Sequence, residues 1–449
     1  MSEPCLFDDG LPRMIRVLTS RLGIEAVQSG VFVRDITGSL SFVARHKLDD
    51  LTFEQIATEL TAELAYYARP DRVIAKANES GAQRLLQDPA ALRIDAGGPG
   101  APLWIHMIDR RIVGADWLRP PTEPPATDVQ GAAPAQRVLF FSMKGGVGRS
   151  TALSVAAIEQ ARQGRNVLVL DLDLEAPGIG SLLLSDDRMP TYGAIDYLVE
   201  RNFWQDSASV QADYLVQNMV GTSVLTSGAG LINLVPAMGS RTLQEPRNYL
   251  AKLARAVIEG HGSDEPVPLS TKLNDLLSAL EAQQRYDFVF IDVRAGLAEL
   301  TAGPLLALNA EALIFGTAQP QTIQDLTLLF SHLSMLTAGA QPTPWAKLKM
   351  VHAKATTPDK IKRFRDDIWD LFATYFYEEA EGLDSFNFDA DSPEAPHFPI
   401  AIPLDTAFAD WDPIHNPDSL LSTYYDRSFR DLNKYINDLL IGEPDGEDE

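Results

Sequence analysis

The run Phe141-Ser142-Met143-Lys144-Gly145-Gly146-Val147-Gly148-Arg149-Ser150-Thr151 puts three glycines into four residues, between an apolar stretch and a helical pattern. Few segments restrict a fold more. The glycines admit positive φ and close approach to the backbone, and the helix that follows turns its free N–H groups and positive dipole end toward the same point. A strand, a tight turn and a helix arranged in this way form a concavity for an anion, and the expected anion is phosphate. In this pattern the residue before the hydroxyl pair is ordinarily lysine, whereas here it is Arg149.

The chain after Arg137 alternates apolar runs with helical patterns. The runs are Val138 to Phe141, Val167 to Leu170, Leu231 to Val235, Phe288 to Ile291, Ala312 to Phe315, Leu348 to Val351 and Phe398 to Ile402. Continuous apolar strands separated by helices predict an α/β fold with a mostly parallel, doubly wound sheet covered on both faces. Ligands of such sheets bind beyond the carboxyl ends of the strands. Residues 137–442 are assigned to this domain. Ahead of it, the helical spacing of Leu11, Ile15, Leu18 and Leu22, a hairpin pattern at Val31 to Asp35 and Leu40 to Ala44, a second helix over Phe53, Ile56, Leu60 and Leu64, and short strands near Leu92 and Leu103 predict a small α+β domain over 1–118. His106 and the Tyr66-Tyr67 pair read there as packing residues. Five prolines between Leu118 and Gln136 mark residues 119–136 as a linker, and the acidic run 443–449 as a solvated tail.

The net charge of −24 argues against direct binding of nucleic acid or an anionic membrane. Of this charge, about −3 falls before the linker and roughly −21 after it. Cys5 is the only cysteine, so disulfides within the chain and cysteine-ligated clusters are excluded. The first residues lack a secretory signal pattern, and no apolar run is long enough to span a bilayer, so the expected location is cytoplasmic.

Two further elements fall at the predicted strand ends. The strand at Val167 runs into Asp171-Leu172-Asp173-Leu174-Glu175, and Tyr286-Asp287-Phe288-Val289-Phe290-Ile291-Asp292 is an apolar strand ending in a carboxylate. Carboxylates beside phosphate require a cation between them, so Mg²⁺ is expected with Ser150, Asp173 and Asp292 on its side, while Thr151 faces the α-phosphate. A dinucleotide reading would put Asp171 on a ribose, but the Gly-x-Gly-x-x-Gly spacing is absent. Glu175 reads as a loop charge or as a polar group near the site.

With these residues the chain resembles the MinD/ParA family of deviant Walker A P-loop ATPases, over roughly Arg137 to Ile441, and within it the subgroup with a Lys-Gly-Gly-Val-Gly-Arg motif. The resemblance makes Lys144 the signature lysine, Asp171-Leu172-Asp173 a switch I element, Asp292-Val293-Arg294-Ala295-Gly296 switch II and Ile402-Pro403-Leu404-Asp405 the adenine-side loop, with Pro403 against the nucleotide. It implies ATP and Mg²⁺ as ligands, with Lys144, Gly145, Gly146, Val147, Gly148, Arg149, Ser150 and Thr151 on the nucleotide. It further implies an ATP-dependent homodimer in which Lys144 reaches the partner's phosphates, and an attacking water positioned by Asp173. The function so implied is a slowly hydrolysing ATPase switch controlling dimerisation and engagement of a protein partner, with bacterial conflict systems as one setting. The partner is expected on the N-terminal domain or the 202–270 region. Arg149, planar and bidentate where lysine is a point charge, leaves open a non-hydrolysing ATP-dependent scaffold. A ParA-type partition factor is the third reading. Arg294 reads as a switch II sensor or as the partner of Glu175 or Glu299, and His352 as an adenine contact or a core residue.

Overall fold

The computed structural model describes residues 5–69, 71–97, 102–111, 114–119, 134–204, 210–226, 230–261, 266–337, 344–377, 388–420 and 422–440. Nearly all of the expected linker, the whole acidic tail and parts of the 202–270 region lie outside these. The chain divides into two compact units, Met1–Arg119 and Pro120–Glu449.

The first unit is built from α1 (Phe7–Leu22), α2 (Ile24–Ser29), β1 (Val31–Arg34), β2 (Leu40–Ala44), α3 (Asp50–Leu64), β3 (Ile74–Lys76), α4 (Ala82–Leu86), β4 (Leu92–Asp95) and β5 (Trp104–Asp109). Its five strands run in the order β3-β2-β1-β5-β4. The β1–β2 hairpin turns where Asp35 accepts from the Thr37 and Ser39 N–H groups at 2.9 and 3.0 Å and Gly38 takes φ +94°. Of the residues read from their spacing, Ile15 and Leu18 of α1 and Ile56, Leu60 and Leu64 of α3 are buried in one core with Phe32, Phe42 and Ile105, joined there by Met14, while Leu11, Leu22 and Phe53 are only partly buried. Strand β3 carries no periodic signal over its three residues and is an addition to the expected elements. Tyr67 packs edge-on against Phe7, with ring centroids 6.2 Å apart. Tyr66, at 97% exposure, does not pack at all. His106 lies exposed on β5 with a ring nitrogen 3.2 Å from the Gln28 carbonyl.

The second unit comprises β6 (Gln136–Ser142), α5 (Arg149–Arg162), β7 (Asn166–Leu172), α6 (Ile179–Leu183), α7 (Ala194–Glu200), α8 (Val210–Gln217), β8 (Gly221–Thr222), β9 (Leu231–Val235), α9 (Ser240–Gln244), α10 (Tyr249–Ala256), a ribbon of β10 (Gly260–His261) and β11 (Pro266–Val267), α11 (Leu269–Gln283), β12 (Phe288–Val293), α12 (Glu299–Ala307), β13 (Glu311–Gly316), α13 (Pro320–Thr337), β14 (Leu348–Ala355), α14 (Pro358–Tyr375), β15 (Ile400–Pro403) and α15 (Ser422–Asp438). Eight strands form one sheet in the order β15-β14-β13-β6-β12-β7-β9-β8. All neighbours pair in parallel except the edge strand β8, which pairs antiparallel with β9. The seven strands read from the sequence are the parallel ones. They are continuous apolar runs because both faces are covered: Val138 and Phe140 pack toward α5 and α15, while Leu139 and Phe141 on the opposite face are equally buried. The order places β6 between β13 and β12, so the glycine-rich loop leaves the middle of the sheet with β12 beside it and β7 next along.

Candidate functional site

The loop after β6 turns through Gly146 at φ +74° and Gly148 at φ +95°, and α5 starts at Arg149. Both angles lie where a side chain is strained, so these two glycines are dictated by the turn. Gly145 differs: its φ is unexceptional, and a Cβ added there would meet nothing within 4 Å. The N-cap of α5 is Gly148, which has no side chain to bond the first-turn N–H groups and leaves them open to solvent or an anion. Thr151, Gly146, Val147 and Gly148 form one wall of a cleft of about 400 Å³. Pro403, Leu404, Asp405, Phe408 and Phe429, from the end of β15 onward, form another. The structure therefore brings the expected Pro403 to the loop.

Arg149 is turned away from that cleft. Its Nε donates to Asp292 at 2.7 Å, one terminal nitrogen donates to the Ser142 hydroxyl at 3.0 Å, and the other donates to Asp173 at 3.3 Å. The Arg149, Asp173 and Asp292 side chains are 9%, 13% and 2% exposed. One guanidinium thus ties the glycine-rich loop to the ends of β7 and β12. Ser150 completes the arrangement by donating to the second Asp292 oxygen at 2.8 Å. The sequence reading aims Arg149 at phosphate; in this structure the nearer anions are the chain's own carboxylates, and the fork satisfies both.

Asp171 and Asp292 are paired residues across the parallel β7–β12 ladder, which sets two buried carboxyls side by side. Burial first, and then the charge of Asp292, push the Asp171 carboxyl well above the usual carboxylate range. Its Oδ1 accepts from the Asp173 N–H at 3.0 Å, while its Oδ2 has no partner among the described residues. Burial also raises Asp292, against the lowering pull of Arg149 and Ser150. Asp173 is held at both ends: one oxygen faces Arg149 and the other accepts from the Ala176 N–H at 3.1 Å. No cluster of three or more His, Cys, Asp or Glu side chains is arranged to hold a metal among the described residues. The oxygen donors of Ser150, Asp173 and Asp292 suit magnesium in kind, while in this structure Arg149 bonds to both carboxylates.

Lys144 donates to the side-chain oxygens of Gln321 at 2.9 Å and Gln319 at 3.3 Å, neutral groups at the start of α13. Arg294 pairs with Glu175, which joins the segment after β12 to the segment after β7. Tyr249 of α10 donates to the Leu174 carbonyl in the same segment. His352 is a core residue: it is 2% exposed, stacks on Phe364 with centroids 4.5 Å apart, and burial lowers its pKa to about 4. It does not line the cleft. Lys354, which sequence reasoning passed over, does, and its Nζ donates to the Gly146 carbonyl at 2.6 Å. The rule that singled out Asp292, a polar residue at the carboxyl end of an apolar strand, applies to Lys354 once β14 is continued past Val351.

No family model matches the chain, and no curated protein matches it. Solved structures that resemble it include pNOB8 ParA bound to nonspecific DNA, at 15% identity over 68% of this chain and 97% of that one, with a TM-score of 0.41. The MinD cell division protein of Aquifex aeolicus is similar at 16% identity, over 69% of this chain and 98% of that one, with a TM-score of 0.42. A putative plasmid partition protein of Borrelia burgdorferi bound to AMPPNP matches at 16% identity, over 68% and 99%, with a TM-score of 0.39. At these identities the likeness is one of fold. These structures are proteins of the ParA, MinD and plasmid-partition kind.

Proposed function

We propose that this chain is an ATP-binding molecular switch in which Arg149 links the phosphate loop to the carboxylates at the ends of β7 and β12. The observation that carries this reading is the single guanidinium shared by Asp173 and Asp292. A magnesium triphosphate would touch the same three elements: the loop, the end of β7 and the end of β12. Support comes from the cleft between the loop and Pro403, from the glycine N-cap of α5, and from Gly145, which nothing among the described residues requires to be glycine and which a phosphate approaching the backbone does. Mg²⁺ held by Ser150 and Asp292 would supply charge neutralisation between phosphate oxygens and carboxylates. Arg149, displaced from Asp292, carries a fork suited to phosphate oxygens, and Asp173, released by it, becomes free to orient a water.

Two arrangements of one element, biased by a ligand, are what a switch requires. Dimerisation with ATP and engagement of a protein partner through the N-terminal unit or the 202–270 region belong to the same proposal, and make dimer affinity and nucleotide state linked quantities. Titration of mantATP with Mg²⁺ tests it: saturable binding together with an ATP-dependent rise in mass by light scattering supports the reading, and absence of nucleotide binding ends it. A second reading, an ATP-dependent scaffold without turnover, is favoured by the grip of Arg149 on Asp173. Phosphate release by the wild type that Asp173→Ala abolishes would exclude the scaffold. Anisotropy with a nonspecific duplex and ATP, at low and physiological salt, decides between these switches and a DNA-borne partition factor.

A further inference from the structure

Three cations stand at the loop, and their charges are spent differently. Arg149 is neutralised by two buried carboxylates. Lys144 rests on the neutral Gln319 and Gln321 side chains. Lys354 rests on a backbone carbonyl and forms no salt bridge among the described residues, although the chain carries a net charge of −24. An ammonium has three donors, and the Gly146 carbonyl takes one of them.

The backbone that presents Lys354 is unusual. Pairing of β14 with β15 runs Val351 to Ile400 and His352 to Ala401, then shifts so that Ala355 pairs with Pro403. Two residues of β14 therefore stand opposite one of β15, which is a bulge. Lys354 is one of those two and has φ +54°, a left-handed conformation in which a residue with a Cβ is strained. Glycine is the residue such a position favours. The ladder resumes at once, with Leu404 N–H donating to the Ala355 carbonyl at 2.9 Å, so the strain is confined to the residue whose ammonium reaches the loop. Strained residues of this kind concentrate at ligand sites.

We propose that Lys354 is a phosphate-binding cation of the cleft, aimed at the loop's rim by the β14 bulge and handed from the Gly146 carbonyl to the phosphates when a nucleotide enters. This rests on the nucleotide reading above and adds to it a residue that contacts phosphate rather than base. The lysine touches the Gly146 carbonyl and lines the same cleft as Gly148 and Thr151, whereas Arg149 is turned away from it and held by two carboxylates.

The test compares Lys354→Gly, Lys354→Met and Lys354→Arg by mantATP titration and by competition with ATP, ADP and adenosine. Glycine relieves the backbone and deletes the cation, so Lys354→Gly should unfold at a temperature no lower than wild type while binding ATP and ADP at least about tenfold more weakly. Methionine should lose the same amount, arginine should restore most of it, and adenosine affinity should change less than about twofold in all three. Unchanged ATP affinity in the glycine variant, or an equal loss for adenosine and ATP, overturns the assignment while leaving wild-type nucleotide binding intact. A wild type that binds no nucleotide overturns both the assignment and the reading on which it rests.

Discussion

Replacing Arg149 by methionine keeps much of the side chain's bulk and removes the cation that pairs with Asp173 and Asp292. At roughly 4 Å between charge centres and an effective dielectric near 20, each attraction is worth about 4 kcal/mol before desolvation is counted. Burying the guanidinium opposes most of that gain, so the net value of the intact cluster is small, but removing only the cation leaves the carboxylates unpaired. Breaking a buried pair in this way costs about 3–5 kcal/mol. For a unit of this size, at ~2–3 °C per kcal/mol, the unfolding midpoint of Arg149→Met should fall by about 6–15 °C. The loss should depend on pH in a definite direction. The folded-state pKa of Asp292 is already raised by burial, with Arg149 pulling against it. A raised carboxyl contributes stability that is complete below its unfolded value, near 3.8, and is lost as pH rises through the folded value. Without Arg149 that folded value moves further up, so over a range from about pH 5 to about pH 8 the deficit against wild type should be smaller at the acid end and larger at the alkaline end. Thermal unfolding followed by circular dichroism across that range measures it. Adding Asp292→Asn to Arg149→Met should recover part of the loss, and the double-mutant cycle isolates the pair. A deficit that is the same at both ends of the range, or a midpoint within about 1 °C of wild type at neutral pH, would refute the view that the arginine is a buried counter-ion.

Gly148→Ala forces a Cβ onto φ +95°, and should cost about 1–2 kcal/mol with nucleotide affinity reduced alongside; an unfolding titration with no loss contradicts the assigned turn. Arg294→Ala removes a half-exposed pair with Glu175 and should change stability by less than about 1 kcal/mol, so any large effect on ATP binding or turnover measured in parallel would be functional. Tyr249→Phe deletes the donor to the Leu174 carbonyl; hydrogen exchange of the segment after β7 should accelerate in the nucleotide-free protein, and unchanged exchange would show that the tether does not hold that segment.

The parallel sheet was legible because strands buried on both faces must be apolar throughout, and Val138 to Phe141 or Phe288 to Ile291 can hardly be read otherwise. The carboxylates were legible as strand-end residues. What the sequence does not encode locally is the direction of a long side chain. Phosphate and carboxylate both suit the Arg149 fork, and the choice depends on Asp173 and Asp292, which lie 24 and 143 residues away. Lys354 escaped notice for a related reason: a bulge depends on the register between β14 and β15, and leaves no periodic trace in either strand. The antiparallel edge β8, at two residues, is too short to show any alternation.

The Ser142 hydroxyl stands between two of the three cationic residues. It has one proton, which it gives to the Lys144 carbonyl at 2.9 Å, and it offers an oxygen lone pair to Arg149 at 3.0 Å. Its backbone carbonyl accepts from the Gly296 N–H at 2.9 Å. The Arg149 bond to this oxygen can be lost without breaking either of the other two attachments. Ser142 thus fastens the loop, through the Lys144 carbonyl, and the segment after β12, through Gly296, by bonds independent of the one to the guanidinium.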